Sequence, residues 1–127
     1  MASTEAPPPG RRIFIVEDET FVAMLLEDML ADLGFEVAGA ASTVEEGLRL
    51  ASTIEADAAV LDVNVAGVQV FPVAERLAER GVPILFSTGY GRDGVPAPWA
   101  DRPIVAKPFL REQLEAGLRE ALGDGRR

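Results

Sequence analysis

The sequence of 127 residues contains no cysteine and no histidine. Without cysteine there is no thiol nucleophile, no disulfide and no thiolate-bound zinc, a composition that suits a cytoplasmic protein. Without histidine there is no Ser-His-Asp triad, no imidazole metal ligand and no phosphohistidine donor within the chain. Positive charge is scarce as well: 12 Lys and Arg stand against 21 Asp and Glu, a net charge of −9. Nucleic acids and anionic lipid surfaces reward clustered Lys and Arg, so neither is an expected partner. No apolar run approaches the roughly 18 residues that a membrane span requires. Asp, Glu, Ser, Thr, Tyr and Lys remain for chemistry, and the metal that suits such side chains is a hard, oxygen-ligated cation.

What is present is an apolar fraction of 48%, enough for one core. Residues 1–11 hold Pro7, Pro8 and Pro9 but no apolar signal-like stretch, and read as a disordered tail. A single domain is expected over 12–122, followed by a short tail at 123–127. Apolar runs rich in β-branched residues place strands at 12–17, 35–41, 58–62, 84–87 and 104–106. A helix is expected over 20–33, with one apolar row at Phe21, Leu25, Met29 and Leu33, a second at Val22, Leu26 and Leu30, and Gly34 as its stop. Ser42 and Glu45 have capping-box spacing and open a second helix to about residue 53. Pro72 opens a third that runs to residue 80, and Leu110, Leu114, Leu118 and Leu122 mark the closing one. Between Thr88 and Pro103 the glycines and prolines leave no room for a regular helix, so an irregular loop is expected there. Strands that are apolar throughout and alternate with helices imply an α/β domain with a doubly wound five-stranded parallel sheet.

In such sheets ligands bind beyond the carboxyl ends of the strands. Those ends deliver Glu17 and Asp18, then Asp62, Thr88 and Lys107. Taken singly, each acid also fits a helix cap or a solvated loop; together, each at the proper end of its strand, they form a candidate site. Two carboxylates about 4 Å apart repel by roughly 4 kcal/mol at an effective dielectric near 20. One lysine offsets only part of that charge, and Mg²⁺ suits the remainder.

The segments I-F-I-V-E-D-E, A-V-L-D-V-N, I-L-F-S-T-G-Y and V-A-K-P-F, in this order, resemble the receiver domain of bacterial two-component response regulators over residues 12–122. The resemblance implies a flavodoxin-like receiver fold. It implies that Glu17 and Asp18 bind Mg²⁺ with Asp62 and the backbone carbonyl of Asn64, that Asp62 is phosphorylated, and that Thr88 and Lys107 contact the phosphoryl oxygens. The donor would be the phosphohistidine of a sensor histidine kinase. The T-G-Y triplet with its Gly/Pro-rich sequel is similar to a single-domain subgroup partnered by kinases of the HWE or HisKA2 kind.

Such a protein is a switch in a phosphorelay and not an enzyme, beyond slow self-catalysed phosphorylation and dephosphorylation. Because the chain ends soon after the closing helix, an interaction module without an output domain is expected, monomeric unless phosphorylation dimerises it. Val65-Ala66-Gly67 stands where the family commonly has Met-Pro, and Ile104 replaces a frequent aromatic. A phosphohydrolase with an aspartyl-phosphate intermediate would want a second acid two residues after its nucleophile, where Asn64 stands. A non-phosphorylated adaptor is the other alternative, against which the complete acidic set and Lys107 speak. Tyr90 and Trp99, the lone Tyr and Trp, are expected to pack the 89–102 loop onto the sheet, and that loop is expected to act as the switch.

Overall fold

Strand β1 (Arg12–Val16) is buried from Ile13 onward, and its side chains alternate between two cores, as the period of a strand requires. Ile13 and Ile15 face one layer with Val60, Leu85 and Val105, against Leu26 and Leu30 of α1 (Thr20–Asp32) and Leu114 and Leu118 of α4 (Arg111–Leu122). Phe14 and Val16 face the other, with Leu61 and Phe86, against α2 (Val44–Ala51) and α3 (Phe71–Glu79). Strands β2 (Glu36–Ala41), β3 (Ala58–Asp62), β4 (Ile84–Thr88) and β5 (Ile104–Ala106) complete a sheet of order β2-β1-β3-β4-β5, parallel throughout. This computed structural model describes residues 11–89 and 94–123. The expected tails therefore lie outside the described residues, apart from Arg11 and Gly123, and so does Tyr90. The five expected strands are present, and the chain changes direction between β1 and β3, which opens a crevice at their carboxyl ends.

One local expectation requires correction. The cap of α2 lies one residue later: the Thr43 hydroxyl accepts from the Glu46 N–H at 3.1 Å, and the Glu46 carboxylate accepts from the Ser42 N–H at 3.2 Å. Ser42 and Glu45 thus do not form the box. At the other end of α2, the Arg80 guanidinium donates to the carbonyls of Ala51 and Ile54 at 2.9 and 2.8 Å, placing positive charge at a helix C-terminus. In α1 only Leu26 and Leu30 are buried, while Phe21 at 72% and Leu25 at 45% remain exposed. Of the first apolar row, Met29 and Leu33 pack partly buried against the core, while its N-terminal members Phe21 and Leu25 lie outside it.

Between β3 and α3 the chain makes a small antiparallel hairpin, Asn64–Val65 with Val68–Gln69. Its turn needs left-handed backbone at both central residues, supplied by Ala66 (φ 52°) and Gly67 (φ 83°). The Asn64 side-chain oxygen closes the turn by accepting from the Gly67 N–H at 2.9 Å. Alanine at a left-handed position is strained and asparagine tolerates it. Ala66→Asn is therefore expected to stabilise the protein by about 1 kcal/mol, read as a higher urea midpoint at unchanged slope.

No regular helix stands between β4 and β5 among the described residues; residues 94–102 hold a short 3₁₀ turn, Ala97–Trp99. Trp99 anchors it, as expected. Its ring stacks on Phe71 (centroids 6.4 Å apart), meets Phe86 edge-on (5.9 Å) and lies under the Arg102 guanidinium (4.9 Å).

Candidate acidic site at the strand ends

The sheet brings the expected side chains together. Val16 is the last residue of β1, so Glu17 and Asp18 begin the following turn, while Asp62 ends β3 and Thr88 ends β4. Lys107 follows β5, its N–H held by the Thr88 carbonyl at 2.9 Å. Glu17, Asp62 and Thr88 are buried, and Asp18 is half-buried. Each carboxylate offers an oxygen, and the three oxygens lie within 4.8 Å of one another. The Lys107 ammonium sits 3.1 Å from an Asp62 oxygen and 3.4 Å from a Glu17 oxygen.

Backbone donors orient both buried acids. The Glu19 N–H donates to Glu17 at 3.1 Å and the Asn64 N–H to the second Asp62 oxygen at 3.2 Å. Burial pushes the Glu17 carboxyl up to about 7; the Asp62 charge adds to this, while the Glu19 N–H and Lys107 oppose it. For Lys107, burial works to lower the pKa, but the hydrogen bond and charge of Asp62, joined by those of Glu17, outweigh it and hold the ammonium above its ordinary range. Three acids sharing one ammonium leave an excess of negative charge in a partly buried cleft. That donor set fits a hard divalent cation.

Beside Asp62 a cavity of about 140 Å³ is lined by Asn64, Gln69, Thr88, Gly89 and Gly94. Gln69 escaped the sequence reading. Its place depends on the Asn64–Gln69 pairing of the hairpin, and Ala-Gly is a weaker turn signal than Asn-Gly.

Residues 13–119 match the profile of the response regulator receiver domain. The chain belongs to the response regulator receiver family. Among solved structures, this receiver is similar to SdrG from Sphingomonas melonis Fr1, at 41% identity and a TM-score of 0.74 over 90% of this chain and 94% of that one. Among curated relatives, the phyllosphere-induced regulator PhyR of Methylorubrum extorquens is 32% identical over 117 residues, covering 87% of this chain and 43% of that protein. The receiver domain of sensor histidine kinase PA1611 from Pseudomonas aeruginosa PAO1 shares the fold at a TM-score of 0.75 and 24% identity, over 90% and 98% of the two chains; that structure has a magnesium ion coordinated in its active-site cleft. The receiver spans about half the length, or less, of the curated relatives, from 40% to 51% of them. Among its described residues no helix is long and apolar enough to cross a membrane.

Proposed function

We propose that this receiver accepts a phosphoryl group on Asp62 from the phosphohistidine of a sensor histidine kinase and thereby changes its binding to a protein partner. The observation that carries this reading is the position of Asp62: buried at the end of a central strand, held by Lys107 and the Asn64 N–H, and open to a cavity it shares with Thr88. A carboxylate is a weak nucleophile, so catalysis amounts to positioning it and neutralising charge on the transferred group. The Asn64 N–H and Lys107 fix the two Asp62 oxygens. On transfer Lys107 keeps its charge beside one phosphoryl oxygen, and the Thr88 hydroxyl donates to another. Glu17, Asp18, Asp62 and the Asn64 carbonyl would hold Mg²⁺, which supplies further positive charge to the phosphoryl oxygens when bound.

Asn64, two residues past Asp62, has its side-chain oxygen engaged by the turn and no acidic group, so it cannot act as the acid/base of a turnover phosphohydrolase. The T-G-Y triplet supports an HWE or HisKA2 kinase as donor, and the absence of a spanning helix among the described residues suits a cytoplasmic location. A Bartonella quintana PhyR, 25% identical and matched over half its length, is described as an anti-anti-sigma factor, which supports a protein as the downstream partner here. Incubation with acetyl phosphate and Mg²⁺ is expected to add the mass of one phosphoryl group, and EDTA is expected to prevent it. No gain in intact mass would sink the reading.

The raised pKa of Glu17 has a measurable sign. Its pKa in the fold, about 7, exceeds the 4.5 of a free glutamate. The stability that the proton confers is therefore complete below 4.5 and is lost as pH rises through about 7. Between these values the metal-free protein is expected to lose stability that Glu17→Gln retains, measured by urea unfolding in EDTA. Parallel pH profiles for the two proteins would refute it.

A further inference from the structure

The cavity beside Asp62 has space for more than one group of water size, yet few of the described residues that line it can position a water. Gly89 and Gly94 carry no side chain. The Asn64 side-chain oxygen is taken by the Gly67 N–H. In the function proposed above, Thr88 and Lys107 bind the phosphoryl oxygens. Gln69 remains. It is exposed, it lines the cavity, and its side-chain amide makes no hydrogen bond among the described residues. The hairpin register pairs Gln69 directly with Asn64, and residues so paired project from the same face about 5 Å apart. The left-handed Ala66-Gly67 turn joins the paired residues, so the fold returns a free amide, seven residues after Asp62 in sequence, to the cavity that Asp62 also lines.

We infer that Gln69 positions the water that hydrolyses the Asp62 phosphoryl group and so sets the lifetime of the phosphorylated state. This rests on the phosphorylation of Asp62 proposed above. A glutamine that orients an attacking water is a recurrent device in phosphoryl hydrolysis. Here the Gln69 side-chain oxygen accepts from one O–H of the water and directs a lone pair to phosphorus. The new bond joins the water oxygen to phosphorus as the bond from phosphorus to the Asp62 carboxyl oxygen breaks. Its electron pair returns to Asp62, and the water protons leave with inorganic phosphate and solvent. The products are the free Asp62 carboxylate and inorganic phosphate.

The full chain, phosphorylated with acetyl phosphate and Mg²⁺ and then freed of donor, allows decay of the phosphoprotein to be followed by intact mass. Gln69→Leu keeps the size and loses the hydrogen bond. It is expected to slow decay about tenfold while phosphoryl gain stays within about twofold of wild type. Gln69→Glu keeps an acceptor and is expected to decay several-fold faster than Gln69→Leu. Unchanged or faster decay in Gln69→Leu overturns the inference, as does a Gln69→Glu protein as slow as the leucine variant. Absence of any phosphoryl gain on the wild-type chain would instead overturn the assignment of Asp62 and with it this role, so the two failures are distinct.

Discussion

Asp62→Asn is expected to abolish phosphorylation outright, with no gain of phosphoryl mass under conditions in which the wild-type chain is fully modified. Asparagine nearly preserves the shape of the side chain and its ability to accept from the Asn64 N–H, but it removes the anionic oxygen that must attack phosphorus. The fold should survive. The substitution removes one of three clustered carboxylates, which relieves repulsion, and it weakens one of the two contacts of Lys107, which costs a comparable amount. Stability is therefore expected to stay within about 1 kcal/mol of wild type, checked by urea unfolding. Persistence of one added phosphoryl group on an acid-stable, base-labile linkage would show that another carboxylate is the acceptor.

The second large effect concerns Lys107, whose ammonium bridges Glu17 and Asp62. Lys107→Met keeps most of the stem and removes the charge. Loss of a cation aimed at the developing charge of the transferred group is expected to slow phosphorylation by about 10²-fold or more. The same change should tighten Mg²⁺ binding, because a competing positive charge has left the acidic cluster. Opposite shifts in the two quantities identify Lys107 as a group acting on the transferred phosphoryl. If both weakened together, the lysine would be holding the acids in place and no more. The metal-free variant should also lose stability, about 2 kcal/mol for a partly buried pair, and recover it when Mg²⁺ is added.

The strands and the residues at their ends were legible because a parallel sheet buried on both faces demands apolar runs, and a run that ends in an acid is conspicuous. Asp62 after Ala58–Leu61 is such a case: the strand reads as core up to the carboxylate that ends it. Helix ends were less legible. In Ser42-Thr43-Val44-Glu45-Glu46 two overlapping registers satisfy the same capping pattern, and only the packing of α2 selects Thr43 with Glu46. The apolar rows of α1 located the helix but not the depth of its packing, since sequence period gives the face of a helix and not how much of it the sheet reaches: Met29 and Leu33 meet the core and Phe21 does not. Gln69 was hidden for a third reason. Its relation to Asp62 depends on a turn built on Ala66, a residue that does not advertise left-handed backbone.

The stacking of Trp99 on Phe71 also makes the receiver its own optical probe. Trp99 is the sole indole of the chain, so ultraviolet excitation at the red edge reports from one known place with no deconvolution. That place joins the residue that opens α3, just past the hairpin, to the loop that follows β4, with the Arg102 guanidinium over the indole face. A change in polarity or quenching there therefore registers, without a label, whether events at Asp62 reach the far side of the 94–102 loop.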